Sequence, residues 1–264
     1  MNTRMAKAYV RHMLTARNAH ALHSPFLFKL YNEAIRHRAT PEIMGLLRLR
    51  RDVQRDGRTI TMEDFGAGSR AGMDTVRTVK SIASNSGVPS RYGAVLYRWA
   101  RFTEAQNILE LGTSVGLGTA FLATAVRDNP TGAKVASIDA SRATQEIARE
   151  YLEKLSLTEY VELLTGTFDD MLPEHLAAGR KYDLVYIHGD HRYRSTLRYF
   201  EWLLPHLHEE SVVVLDEIHS SRPMERAWDQ LCQHHAVRQS IDFYRFGLLF
   251  FRPNQLSEHF RLRL

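Results

Sequence analysis

The residues best suited to chemistry gather at the ends of five short apolar runs. The first run leads into Glu110-Leu-Gly112-Thr113-Ser114-Val-Gly116-Leu-Gly118-Thr119. Glycines there let the backbone turn sharply and approach a ligand, and the helix that follows offers its first N–H groups. The second run ends at Asp139, a carboxylate placed to accept both hydroxyls of a ribose. The third ends Thr165-Gly166-Thr167-Phe168, with a ring on which a flat base can lie. Glu110, Gly112, Thr113, Gly116, Asp139, Gly166 and Phe168 together read as a nucleoside pocket. The spacing E-x-G-x-x-x-G differs from the dinucleotide pattern G-x-G-x-x-G, and a phosphate loop would need Gly-Lys-Ser/Thr, which the chain lacks. The plainer reading makes Gly112 and Gly116 turn residues and Asp139 a helix cap.

The fourth run ends Ile187-His188-Gly189-Asp190-His191 and the fifth Leu215-Asp216-Glu217-Ile218-His219. These two tips are expected at the ligand's reactive end, with His188, Asp190, His191, Asp216, Glu217 and His219 in one crevice, since few of them survive unpaired in an apolar core. Two chemistries suit them. A divalent metal on Asp216, Glu217 and His188 would bind a hydroxyl, lower its pKa and position its oxygen. Without a metal, His191 would accept the proton as a general base near neutral pH. His188, His191 and Asp216 are thus the candidate catalytic residues, against a third reading in which the cluster only caps helices.

The elements that must position these residues follow from periodicity. Ile108–Leu111, Val135–Ile138, Val161–Leu164, Leu184–Ile187 and Val212–Leu215 alternate with helix-like segments at 117–128, 141–156, 170–178, 192–206 and 222–234. That alternation predicts a parallel sheet covered on both faces. Two further strands, 237–243 and 247–252, are parted only by Tyr244–Phe246, a link so short that the pair must be antiparallel. The expected fold class is α/β, a doubly wound seven-stranded sheet with an antiparallel last strand. Before it, helices are expected over 4–18, over 26–38 with Ser24 as N-cap and Pro25 in the first turn, from Pro41 to Arg51, from Thr75 through Ile82, and over 91–104. They make residues 1–90 an α-helical N-terminal cap on a binding domain of residues 91–264. The glycine-rich Glu63–Ser69 segment reads as a lid over the pocket or as a surface turn. Trp202, Trp228 and the run Phe243–Phe251 are expected in the core, and His234-His235 as cations at a helix end.

Composition narrows the class. The chain has 264 residues, 44% of them hydrophobic and 25% charged, which excludes disorder and collagen-like repeats. Its single cysteine, Cys232, cannot form an internal disulfide, and no apolar run approaches the ~20 residues that span a bilayer, so a cytoplasmic protein with no membrane partner is expected. Residues 1–60 carry 12 Lys and Arg against 4 Asp and Glu. That basic segment is either a solvated helical face or a surface for a nucleic acid or other polyanion.

Ile108–Ala123, ILELGTSVGLGTAFLA, resembles motif I of the class I S-adenosylmethionine-dependent methyltransferases, with Asp139 at the acidic position of motif II. More narrowly, residues 90–264 are similar to small-molecule O-methyltransferases related to catechol O-methyltransferase. The segments His23–Phe26 and Glu63–Ser69 also resemble N-terminal motifs of a bacterial methyltransferase-like group. The resemblance implies a Rossmann-like methyltransferase fold, S-adenosyl-L-methionine as cofactor, and methyl transfer to a small-molecule acceptor, at a hydroxyl oxygen. A homodimer is a further expected partnership. Cation-dependent members carry Asp at the His188 position and Asp-Asn where this chain has Asp216-Glu217, so the metal-ligand pattern is altered here. Two other readings stay open: methylation of RNA or another polyanion through the basic cap, and a nucleoside-binding protein without catalysis.

Overall fold

Leu184–Ile187 and Val212–Leu215 are buried from end to end, and Asn107–Leu111 is buried at every position but its first, as strands covered on both faces must be. The computed structural model describes residues 3–18, 22, 24–35, 40–62, 76–129 and 133–264. The chain divides into two units, Arg38–Arg180 and Met1–His37 with Lys181–Leu264.

In the Arg38–Arg180 unit, helix α3 (Pro41–Val53) is capped by Thr40, whose hydroxyl accepts from Ile43 N. Strands β1 (Thr59–Thr61) and β2 (Val76–Thr78) pair antiparallel, and Thr78 caps helix α4 (Val79–Asn85). Residues 76–78, expected at a helix start, are therefore a strand: their backbone groups are spent on β1 and helix begins only after the cap. The Glu63–Ser69 loop, expected as a lid or a turn, lies outside the described residues. Helix α5 (Ser90–Phe102) packs on α6 (Leu117–Asp128), with the Phe121 ring so close to Gly93 that a Cβ there would meet it at 2.3 Å. Strands β3 (Asn107–Leu111), β4 (Lys134–Asp139) and β5 (Val161–Thr165) run parallel, Leu111 opposite Ile138 and Asp139 opposite Thr165. Helices α7 (Arg142–Lys154) and α8 (Phe168–Leu176) follow β4 and β5.

The other unit holds β6 (Leu184–Ile187) and β7 (Val212–Leu215) in parallel, each followed by an amphipathic helix, α9 (Tyr193–Leu203) and α10 (Arg222–Cys232). Strand β9 (Gly247–Phe250) pairs antiparallel with β7 and with β8 (Gln239–Asp242), so the expected antiparallel pair is present. That pair is not the edge of the sheet. An eighth strand beyond the seven anticipated, β10 (Glu258–Arg261), pairs parallel with β8 and covers it. Its half-exposed Glu-His-Phe-Arg has none of the apolar pattern that reveals an inner strand.

Helix α1 (Thr3–Thr15) ends three residues earlier than expected because the chain turns extended at Arg17, which bridges to Leu262, with Arg17 N bonded to Arg261 O. Helix α2 (Pro25–Leu30) starts at Ser24 and Pro25 as the sequence predicts, then widens into a π turn over Tyr31–Ile35. Trp228, Phe243, Phe246 and Phe250 lie in the core. No helix among the described residues is long and apolar enough to cross a membrane.

Candidate active site

Strand β3 delivers the chain into a turn that only some residues tolerate. Gly112 has φ 112°, Ser114 φ 49° and Gly116 φ 79°. Gly116 is held in the left-handed region as the N-cap of α6, and a Cβ there would also press to 2.8 Å from Ala148 Cβ. No side chain at this cap accepts from the first turn of α6, whose opening N–H groups are left without a capping partner.

The turn is braced from inside. Glu110 is fully buried and accepts from Thr119 Oγ1 at 2.5 Å and Ser137 Oγ at 2.6 Å, and Ser137 Oγ in turn meets Thr113 Oγ1 at 2.6 Å. The side chains of Glu110 and Thr113, expected to touch the ligand, are turned into this network instead; Thr113 is 1% exposed. What the turn offers a ligand is main chain. Ser137 and Thr119 are the supporting residues that sequence reasoning missed, since nothing local marks a hydroxyl as a partner for a carboxylate one strand away.

Asp139 ties the strand tips together. Its Oδ2 accepts from Ser114 N at 2.8 Å and its Oδ1 from Ser141 N at 2.9 Å. The helix-cap role is filled by Ser141, which accepts from Thr144 N. Asp139 itself stays half-exposed beside the turn. Gly166 N bonds to Asp139 O at 3.0 Å, and Thr167 caps α8, whose first residue is the half-buried Phe168. The turn, the acid and the ring thus belong to one unit and one end of β3, β4 and β5.

The polar residues after β6 and β7 do not form one crevice; they separate into three groups. Asp216 is fully buried, and Arg245 from the β8–β9 link grips both its oxygens, Nε to Oδ1 at 2.7 Å and Nη2 to Oδ2 at 2.9 Å. Tyr186 OH, Glu217 N and, at 3.2 Å, His188 Nδ1 complete its surroundings. Burial would raise the Asp216 pKa, but Arg245 and His188 hold it well below the usual carboxylate range. His188 stacks on Tyr186 with centroids 5.3 Å apart. Asp190 leaves this group for α9, accepting from Tyr199 OH at 3.1 Å and pairing with Arg192. His219 leaves it for Asp242, 3.0 Å away. His191 remains within the field of Glu217, Asp216, His188 and Arg245; burial pushes its imidazole below the ordinary value, against the pull of the two carboxylates.

The metal reading of Asp216, Glu217 and His188 is corrected by this geometry. A divalent ion bound to Asp216 would lie against the guanidinium that already fills both carboxylate oxygens, and Glu217 Oε1 is itself 3.5 Å from Arg245 Nη2. These residues do not fit the ion. Arg245 lies 29 residues beyond Asp216 on a hairpin, and no spacing rule points to it.

The family described as "Methyltransferase domain" matches residues 109–218. Among characterised relatives, the chain is 25% identical over 151 residues to catechol O-methyltransferase of Niastella koreensis, covering 55% of this chain and 66% of that protein. It is 29% identical over 131 residues to catechol O-methyltransferase of Mycobacterium tuberculosis, covering 50% of this chain and 56% of that protein. The matched region therefore falls short of two thirds of either relative. The structure is similar to the S-adenosylhomocysteine complex of an O-methyltransferase from Bacillus cereus, with TM-score 0.56 and 19% identity over 84% of this chain and 96% of that one. It is also similar to an S-adenosylhomocysteine-bound methyltransferase from Podospora anserina, with TM-score 0.59 and 13% identity over 84% and 92%. These likenesses establish the Rossmann-like methyltransferase fold. With its glycine turn and its strand-tip acid, the chain is similar to methyltransferases over residues 109–218 and to the catechol O-methyltransferases named above.

Proposed function

We propose that this chain transfers the methyl group of S-adenosylmethionine to a hydroxyl oxygen of a small aromatic molecule. The observation that carries the reading is Asp139, half-exposed and hydrogen-bonded to Ser114 N of a left-handed turn whose helix cap is a bare glycine. In this reading Asp139 accepts from the ribose hydroxyls, the side-chain-free backbone at Gly112 and Gly116 lets the amino-acid end approach the turn, and Phe168 and Gly166 flank the base. Bound there, the cofactor supplies an electrophilic methyl on sulfur, open to in-line attack by oxygen. His191 would serve as the base for the acceptor's hydroxyl proton. Its lowered pKa suits the task, because a base must be neutral when the acceptor arrives. His188 and Asp216 act as positioning residues: Asp216 is fixed by Arg245, and His188 is fixed by Asp216 and Tyr186. No step runs through a metal at Asp216. The names of the two characterised relatives support a catechol-type acceptor. The single cysteine suits a cytoplasmic setting.

Calorimetry with S-adenosylhomocysteine and with NAD tests the cofactor half: one site for the first and none for the second is expected, and the reverse overturns the proposal. Turnover of a catechol panel tests the rest. His191→Gln should lower kcat by about 10²–10⁴ with little change in KM. In the parent enzyme, activity should be lost as pH falls through the His191 pKa, an acid limb below the ordinary histidine value of 6.5. Tight S-adenosylhomocysteine binding with no turnover of any acceptor would favour a binding protein without catalysis.

A further inference from the structure

Helix α1 buries one side chain, and it is a histidine: His12, 4% exposed. Its Nε2 lies 3.1 Å from the Leu262 carbonyl oxygen, which can only accept, so Nε2 carries the proton. In a neutral ring Nδ1 is then the bare nitrogen. That atom is buried, makes no hydrogen bond, and sits 3.3 Å from Asp242 Oδ1. A lone pair facing a carboxylate at this range is repulsive unless a positive charge lies between them. On the other side of Asp242, His219 Nε2 is 3.0 Å from Oδ2, and its Nδ1 is 3.4 Å from Glu225 Oε1.

We propose that His12 Nδ1, His219 Nε2 and Asp242 bind a zinc ion. Their ligand atoms all lie within 4.8 Å of one another. Two ligands about 2.0–2.1 Å from a tetrahedral ion stand roughly 3.3–3.4 Å apart, which is the His12–Asp242 spacing. Two imidazoles and a carboxylate suit zinc better than magnesium or calcium, which prefer all-oxygen shells. The outer partners are those a metal-bound imidazole takes: a backbone carbonyl for His12 and a carboxylate for His219. Unlike Arg245, which takes both oxygens of Asp216, Arg261 reaches one oxygen of Asp242, Nε to Oδ2 at 3.0 Å, and the neutral Tyr244 N–H donates to Oδ1 at 2.7 Å. His12 and His219 line a cavity of about 380 Å³ together with Arg4, Lys7 and Arg11, surroundings that favour hydroxide or another small anion as fourth ligand. Such an ion would join α1, β8 and the segment after β7, which ring contacts of Tyr244 with Tyr9, His12 and His219 also bring together. It is a staple, separate from the proposed methyl transfer.

The test uses the full chain, stripped with a chelator and titrated with zinc alone. One ion per chain is expected, and cobalt in its place should give the visible d–d absorption of a tetrahedral site. His12→Gln and His219→Gln should each weaken zinc at least about 100-fold, while Glu225→Gln, which removes an outer partner, should weaken it about 10-fold. His234→Ala, at a histidine paired with Glu201, should leave binding unchanged. Nitrogen-15 shifts of the imidazoles in the unaltered protein check the assignment without any substitution: His12 Nδ1 should shift on zinc addition. Zinc binding that survives His12→Gln, or a His12 ring that keeps protons on both nitrogens at saturating zinc, overturns the proposal. Intact S-adenosylhomocysteine binding in these variants would separate failure here from failure of the methyltransferase reading.

Discussion

Asp139 and Asp216 stand at equivalent places, each at the carboxyl end of a parallel strand, yet they meet opposite partners. Asp139 is half-exposed and accepts from two neutral main-chain N–H groups, Ser114 and Ser141. Asp216 is fully buried and bound on both oxygens by a guanidinium. Neutral donors orient a carboxylate and leave its charge in place for a ligand. A bidentate cation cancels the charge and spends it on the fold. Position at a strand tip therefore marks where ligand acids can stand, and the partners decide which of them still act on a ligand.

Breaking the Asp216 pair should have the largest effect. Asp216→Asn leaves the Arg245 guanidinium buried without its counter-charge, and loss of one partner of a buried pair costs about 3–5 kcal/mol. Urea unfolding measures it. Arg245→Met in the same protein should recover part of the loss, because two neutral groups no longer leave an ion unpaired. A loss below about 1 kcal/mol, or one reversed by magnesium or manganese, would mean that Asp216 answers to a metal and that the contrast with Asp139 is misdrawn.

The same contrast explains what was legible in the sequence. The glycine turn is built from contiguous main chain, so the spacing of Gly112 and Gly116 and the distance to Asp139 carried its geometry into one dimension. Strands β6 and β7 were legible to the residue, because strands buried on both faces show as unbroken apolar runs. Arg245 on Asp216, Ser137 on Glu110 and His12 on Asp242 were not, since each pair joins residues 24 or more positions apart whose types fit a dozen other partners. His219 shows the cost. Its place two residues after Glu217 suggested a shared crevice, but the left-handed backbone at Glu217, φ 56°, sends the chain elsewhere. Strand β10 escaped because an edge needs only one ladder and no apolar face.

Removing the Asp139 carboxylate should show the second effect, on affinity. Asp139→Ala deletes the acceptor for both ribose hydroxyls, and two charge-assisted bonds at about 1.5 kcal/mol each weaken S-adenosylhomocysteine roughly 100-fold or more. Calorimetry reads this directly. Stability should fall far less than in Asp216→Asn, because the Ser114 and Ser141 N–H groups can turn to water at a half-exposed site. Equal affinity in Asp139→Ala would place the ligand elsewhere.

A third carboxylate, Asp56, sharpens the comparison with the smallest effect. Like Asp216 it is gripped by an arginine, Arg58, with Nε at 3.0 Å and Nη2 at 2.8 Å from Oδ2, and Tyr151 OH adds a bond at 2.9 Å. Its pKa is held down to about 2, chiefly by the Arg58 hydrogen bonds. Unlike Arg245, Arg58 is 48% exposed, so water and salt screen the pair. Asp56→Asn should therefore cost no more than about 1 kcal/mol at neutral pH. The sign of the pH dependence follows from the depressed value. The contribution is complete above the ordinary carboxyl range and fades as pH falls toward about 2, so the two proteins should converge in stability on acidification. Urea curves across that range check it. A cost at neutral pH as large as that of Asp216→Asn would show that arginine pairing, and not burial, separates the carboxylates of the fold from those left for a ligand.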